Sequence, residues 1–304
     1  MGSSVQIRRF MWQDLPGLTF LFNEVNGISN TEKANDVEFM QQFLSQPSCK
    51  PEEHCFLAKC GDDLVGFALV APEPAIGRAV ASGGVASSHR GNGIGRRLAR
   101  TAIEHASKMD ASVLHVQISS QAVVARHMLE SMGFCLAKNY WQMRWEGGEF
   151  PPVDLPRGFF LRAFRLGQDE EVLTQLQNSA FGQHWGFCPN TVDEISARVR
   201  FKRCDPEGII FVVDGSRPAG YNWTMRECNE AGSVGWVSMT GVHPDYRGRG
   251  LGTAVVVTGM EYLKAKGVDG IELEVDSENV PARELYLKLG FRKVHETVWL
   301  EKRL

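Results

Sequence analysis

The chain has 304 residues, of which 43% are hydrophobic and 23% charged, and its formal net charge is −3. That length suggests about two domains, each with enough apolar residues for its own core. The near-even charge balance gives no global attraction for nucleic acid or an anionic membrane. Seven cysteines (Cys49, Cys55, Cys60, Cys135, Cys188, Cys204 and Cys228) are an odd number without disulfide rhythm or CxxC–His spacing. Reduced thiols are therefore expected, and a metal site is not. The start, Met1-Gly2-Ser3-Ser4-Val5-Gln6, lacks the apolar core of a signal peptide, and Gln6 stands where myristoylation wants Ser or Thr. No apolar run approaches a membrane span, so a soluble cytoplasmic protein is expected.

Along the chain, a strand is predicted at Gln6–Phe10 and a helical segment after Gln13-Asp14. A hairpin follows, its strands Cys55–Lys59 and Leu64–Val70 flanking the turn residues Gly61-Asp62-Asp63. The strand Val80–Val85 leads into Arg90-Gly91-Asn92-Gly93-Ile94-Gly95, and a helix leaves that motif. A strand at Ser112–Ile118, a short helix and a last strand after Gly133-Phe134 complete the half. Gly147, Gly148, Pro151, Pro152 and Pro156 then mark a breaker-rich linker, dividing the chain into domains 1–147 and 156–304.

The second half repeats this order. Strand Phe159–Phe164 precedes a helix after Gln168-Asp169, and Ile209–Val213 and Ala219–Thr224 flank Asp214-Gly215-Ser216. Strand Val234–Val242 runs into Arg247-Gly248-Arg249-Gly250-Leu251-Gly252, and strand Gly270–Val275 follows the next helix. The glycine motif recurs at an offset of 157 (247 − 90), and Gly290-Phe291 repeats Gly133-Phe134 at the same offset (290 − 133). The chain reads as a tandem duplication. Gly66 and Gly220 are related by 154, so three loop residues are gained before the motif.

A strand before and a helix after give R-x-x-G-x-G a physical meaning. Glycines allow the positive φ at which successive backbone N–H groups converge, and the helix N-terminus adds its unpaired N–H groups and dipole. That makes an anion site suited to a pyrophosphate. The dinucleotide fingerprint needs G-x-G-x-x-G, and a P-loop needs a lysine that Gly252-Thr253 lacks. Farther on, Asn279 precedes Pro281 in a capping or ligand-contacting position, and Tyr286 lies two turns along. A phenol there can give a proton to a leaving thiolate, the pKa values of the free phenol and thiol differing by roughly 1.5 units.

The run Gly241-Val242-His243-Pro244-Asp245-Tyr246-Arg247-Gly248-Arg249-Gly250-Leu251-Gly252, with Asn279-x-x-Ala282-x-x-Leu285-Tyr286 and Gly290-Phe291, resembles the GNAT superfamily of acyl-CoA-dependent N-acyltransferases. The tandem arrangement, with Asp205-Pro206-Glu207-Gly208 and Gly220-Tyr221-Asn222-Trp223-Thr224, further resembles mycothiol synthase and its relatives. The resemblance implies an α/β fold of two tandem domains, each a mixed, splayed sheet flanked by helices. It implies an acetyl-CoA arm paired with backbone near Val242, its pyrophosphate on Arg247, Gly248, Arg249, Gly250, Leu251, Gly252 and Thr253, and a contact from Asn279. It also implies Tyr286 as general acid in a direct transfer to an amine, with no metal.

The first copy differs. It keeps Val85, Arg90, Gly91, Gly93 and Gly95, the parts of a second CoA loop, but has Ala122 opposite Asn279 and Leu129 opposite Tyr286. His127 points about 200° away from Leu129 on a helix and is a poor substitute. The first domain therefore reads as catalytically degenerate, either still holding CoA or only packing as a subunit does in a GNAT dimer. For the general base, Glu272, Glu274 and Asp276 share one strand face, and Glu274 or a water-linked partner is favoured; His184 and His243 are weaker candidates. Mycothiol synthases carry an acidic residue about where Trp236 stands here, a departure that puts the same acceptor in doubt. Trp223, Trp236 and Phe181–Trp185 are expected to line the acceptor pocket. The expected partner is a primary amine of a small molecule, taken by a monomer; a protein or peptide acceptor and a non-catalytic acyl-CoA-binding module are the alternatives.

Overall fold

A computed structural model describes residues 5–304, so the features read at Met1–Ser4 lie outside the described residues. The chain divides into two compact units, Met1–Tyr140 with Glu296–Leu304, and Trp141–His295. Among the described residues no helix is long and apolar enough to cross a membrane.

In the first unit β1 (Val5–Arg9) precedes α1 (Leu15–Val25), α2 (Val37–Leu44) and the single turn α3 (Pro51–His54). Next come β2 (Cys55–Cys60), β3 (Asp63–Glu73), β4 (Arg78–Val85), α4 (Ile94–Ala106), β5 (Val113–Ser119) and α5 (Val123–Glu130). Strands β1 to β4 are antiparallel neighbours, and β4 runs parallel to β5. Helix α4 is amphipathic: Ile94, Leu98, Ala102 and Ala106 recur every four residues and bury one stripe on the sheet. On the other face α1 and α2 cover Leu57 and Phe67. Asp36 opens α2 by accepting the Phe39 N–H at 2.7 Å.

β6 (Cys135–Trp145) leads to the second unit, which holds β7 (Phe159–Ala163), α6 (Glu170–Phe181), α7 (Val192–Arg198), β8 (Ile209–Asp214), β9 (Arg217–Asn229) and β10 (Gly232–Val242). It continues through α8 (Leu251–Ala265), β11 (Gly270–Asp276) and α9 (Val280–Lys288) into β12 (Arg292–Arg303). The order of pairing repeats that of the first unit, with β10 parallel to β11. Even side-chain networks recur. Arg8 grips Asp14 through two bonds of 2.7 and 2.6 Å, and Arg162 grips Asp169 at 2.7 and 3.0 Å. Asn23 clasps the backbone of Asn35 at 2.8 and 2.9 Å, as Asn178 clasps that of Asn190 at 2.9 Å twice.

The compact units do not divide at the linker expected at Gly147–Pro156. Trp141–Trp145 of β6 belong to the second unit, where Met143 and Trp145 enter the core. Glu296–Leu304 belong to the first, where β12 pairs antiparallel with β5 from Thr297 to Arg303 and buries Val298 and Leu300. Burial of these apolar side chains, not proximity in sequence, decides where each last strand pairs. The short helices α2, α3 and α7 were not anticipated, since 8, 4 and 7 residues give too little periodicity to read.

Candidate active site

The site of the second unit begins where its sheet opens. β10 pairs with β11 only through Val234, Trp236 and the intervening Gly235, opposite Gly270–Glu272. Past this point the β9–β10 register jumps between Val237 and Met239, so Ser238 is an extra residue that bends the strand. From there to Val242 no ladder to β11 is present among the described residues. The diverging strand ends leave main-chain amides facing a gap, the edge an extended amide chain can join. In the first unit β4 and β5 also part, after Ala81 and Val116, but β3 and β4 keep one register throughout.

The glycine loops are near copies. Gly248 and Gly250 hold φ of +76° and +78°, and Gly91 and Gly93 hold +80° and +75°. Each sits where an added Cβ meets nothing within 4 Å, so the backbone conformation rather than crowding calls for glycine, and open space lies above each loop. Gly252 and Gly95 have ordinary φ and only loose contacts, 3.7 Å from Val242 and Val85. Arg247 braces its loop through Nε to the Val242 carbonyl (3.3 Å) and Nη2 to the Ala180 carbonyl (2.8 Å); Arg90 reaches the Val85 carbonyl at 3.1 Å. These arginines shape the turn. Leu251 is buried and offers only its N–H, whereas Arg249 is exposed and lies over the Tyr246 ring. Neither α8 nor α4 has a side-chain cap, so the first-turn N–H groups remain open to an anion. This cradle fits a pyrophosphate.

Asn279 caps α9, its Oδ1 accepting the Ala282 N–H at 3.3 Å. Tyr286, 8% exposed, packs in the core with its ring edge-on to Phe291. Burial pushes its phenol up to about 12, so the group is protonated throughout the neutral range. That makes the gap to a thiol wider than the one between the free side chains. At the matching places of the first unit, Ala122 gives no side-chain cap and Leu129 is a buried aliphatic. His127 is exposed, on another side of α5 from buried Leu129.

The acidic face of β11 is divided by its neighbours. Glu272 is 1% exposed and held by Arg144 at 2.8 Å and Gln142 at 2.5 Å, which commits it to structure. Glu274 is exposed. Asp276 accepts the Glu278 N–H at 2.9 Å and shapes the turn into α9. His184 lies on the loop after α6 against Phe181; burial lowers its pKa, Arg247 lowers it further, and Asp276 opposes. One expectation fails: Trp223 is 1% exposed, its Nε1–H directed at Cys204 Sγ (3.2 Å), so it is core and not a pocket wall. Alternation along β9 puts it beneath α6 and α7 instead.

The sequence profile described as "Acetyltransferase (GNAT) family" matches residues 18–134 and again 171–291. A mycothiol acetyltransferase of Arthrobacter sp. (strain FB24) is 34% identical over 236 residues, 76% of this chain and 72% of the relative. One from Nocardia farcinica is 32% identical over 249 residues, 80% of each chain. Among solved structures, a GCN5-related N-acetyltransferase from Sphaerobacter thermophilus superposes with a TM-score of 0.76 at 22% identity, covering 98% of this chain and 95% of that one. A tandem GNAT protein from the clavulanic acid biosynthesis pathway gives 0.74 at 17% identity, covering 99% and 98%. These two likenesses concern the fold.

Proposed function

The chain belongs to the acetyltransferase (GNAT) family and is an N-acetyltransferase, and from that premise we propose that its second unit transfers the acetyl group of acetyl-CoA to a primary amine of a small molecule. The observation that carries the assignment is the pairing of an intact glycine cradle with Tyr286 in that unit alone. The first unit has the same cradle but Leu129 in place of the phenol.

Bound acetyl-CoA supplies a thioester carbonyl for attack and a sulfur leaving group. The backbone N–H groups of Gly248–Thr253 and the open first turn of α8 hold the pyrophosphate, and the free edge of β10 up to Val242 holds the amide arm. Asn279 fixes the start of α9 and so aims Tyr286, whose protonated phenol donates to the sulfur as charge develops there. A neutral amine must lose its proton; exposed Glu274 takes it directly or through water. In the first unit Val85, Arg90, Gly91, Gly93 and Gly95 can hold a second CoA but have no acid to act with it. No step needs a covalent enzyme intermediate, and the reading gives a monomer working in the cytoplasm.

The relatives are mycothiol acetyltransferases. Trp236 at the place expected to be acidic argues for a different acceptor here. The test is a panel of primary amines incubated with acetyl-CoA, read by CoA thiol release and by the mass of one acetyl group gained. Acetylation of a small amine supports the reading. Acetylation of protein amines alone favours a protein acceptor, and tight acetyl-CoA binding without any turnover favours a binding module.

A further inference from the structure

The two units differ between the sheet and the first helix pair. In the first unit Phe22 of α1, Phe43 of α2 and Phe67 of β3 line one small apolar cavity, with the Phe22 and Phe67 rings 5.7 Å apart. The repeat places Gln177 of α6, Arg198 of α7 and Tyr221 of β9 at those three positions. Its alignment is fixed by structure. The Asn23–Asn35 and Asn178–Asn190 clasps and the caps Asp36 and Thr191 share one offset, and Phe67 faces Leu57 as Tyr221 faces Phe211. Other lining residues stay apolar: Leu18 becomes Leu173, Met40 becomes Ile195 and Leu44 becomes Val199. Only the three phenylalanines have turned polar.

Two of their polar atoms find no partner in the protein. Tyr221 is fully buried and its hydroxyl has no hydrogen-bond partner among the described residues; the same holds for Gln177 Oε1, on a side chain 1% exposed. Arg198 bonds the Asn190 side chain and the Glu194 carbonyl (3.3 Å), both neutral, and no carboxylate ion-pairs with it among the described residues. Burial raises the Tyr221 phenol well above its usual range while nearby Arg198 works against that rise. The place is beside the chemistry. Tyr221 pairs with Gly241, next to Val242, and a Cβ on Gly241 would press on Ala180, Phe181 and the Tyr221 ring.

We infer that Arg198 and Tyr221 form a binding subsite for a carboxylate carried by the acceptor amine, with the guanidinium and the phenol as donors. A buried guanidinium bonded directly only to neutral groups, with the Glu194 charge nearby, lies beside an unused hydroxyl and complements an anion, and the apolar counterpart in the first unit shows that the fold does not need polarity there. The inference rests on the proposed acetyl transfer and names the acceptor class: a small amino acid or acidic amine.

The test compares amines with their carboxamides, L-serine against L-serinamide and L-phenylalanine against L-phenylalaninamide, with the whole protein saturated in acetyl-CoA. For at least one pair the acid is expected to have a kcat/KM at least ~10-fold above the amide, the scale of one hydrogen bond to a charged group. Arg198→Gln and Tyr221→Phe should each bring that ratio toward one, mainly through KM, with acetyl-CoA affinity and Tm unchanged. Equal use of acid and amide, use of neither, or a ratio untouched by both variants overturns the subsite. A wild type that binds no acetyl-CoA overturns the transferase reading with it, whereas binding without acid preference overturns the subsite alone.

Discussion

Replacing Tyr286 with Phe isolates one oxygen atom. The ring is 8% exposed and lies edge-on to Phe291 at 5.8 Å, contacts that a phenylalanine keeps. Stability should therefore change by no more than about 1 kcal/mol, the net worth of one hydrogen bond. The catalytic effect should be larger. General acids contribute typically 10²–10⁴-fold, or about 3–5 kcal/mol of barrier. The pKa decides where in that range this residue falls. A phenol at about 12 is a poorer acid than a thiol near 8.5, a gap of roughly 3.5 units or ~5 kcal/mol. Full transfer before the C–S bond breaks is thus uphill, and the phenol acts as a donor to developing charge that releases its proton late. The expected loss is about 100-fold in kcat, with acetyl-CoA affinity unchanged, measured by single-turnover CoA release. Because the protonated form is the active one and its pKa is raised, the alkaline limb due to this group should lie near 12, not near the ordinary tyrosine value of about 10. Turnover of Tyr286→Phe within about threefold of wild type, at equal cofactor affinity, would refute the acid assignment.

Glu272 tests the frame rather than the chemistry. Its buried carboxylate is held by Arg144 and Gln142, so Arg144→Leu leaves a buried charge without its cation and should cost about 3–5 kcal/mol by denaturant unfolding; a loss under about 1 kcal/mol would show that solvent already screens the pair. In the first unit the His54 and His105 rings meet at 2.9 Å, and both pKa values are lowered, first by burial. For His105 the charges of His54, Arg9 and Lys108 lower it further and Glu53 opposes; for His54 Glu53 opposes and Lys50 and Arg9 lower it. Groups depressed in the folded state stabilise it above their unfolded pKa of about 6.5 and lose that contribution as pH falls through the folded values. Thermal stability should accordingly drop below pH 6.5, and His54→Gln should flatten that drop; an unchanged acid profile in the variant would contradict the coupling.

Most of the candidate site's local geometry was legible because its parts are local. A glycine at positive φ, a helix start and a phenol two turns along each announce themselves over a few residues, so Gly248, Gly250, Asn279 and Tyr286 stand where the sequence placed them. The partition of the last strands was not local, and a charge pattern accompanies the apolar burial that decides it. His115 and Glu272 occupy equivalent places, as do Arg144 and Glu301. The observed pairs are His115–Glu301 at 3.0 Å and Arg144–Glu272 at 2.8 Å. Had each last strand stayed with its own half, Arg144 would face His115 and two carboxylates, Glu301 and Glu272, would meet. Trp223 misled because an aromatic in a strand reads the same whether it faces a pocket or a core. The polar triad Gln177, Arg198 and Tyr221 was visible only on setting the two copies side by side, once structure had fixed an offset that shifts with each loop.

The central claim, that acetyl-CoA is held by the second glycine loop, is tested most directly by calorimetric titration of acetyl-CoA into wild type, Gly250→Glu and Gly93→Glu. A carboxylate placed in the cradle repels the pyrophosphate, and a side chain at φ +78° adds strain of about 1–2 kcal/mol. Loss of the functional binding event in Gly250→Glu, with Tm close to wild type, is the predicted result; any further site lost in Gly93→Glu belongs to the first unit. Wild-type affinity retained in Gly250→Glu would contradict the account.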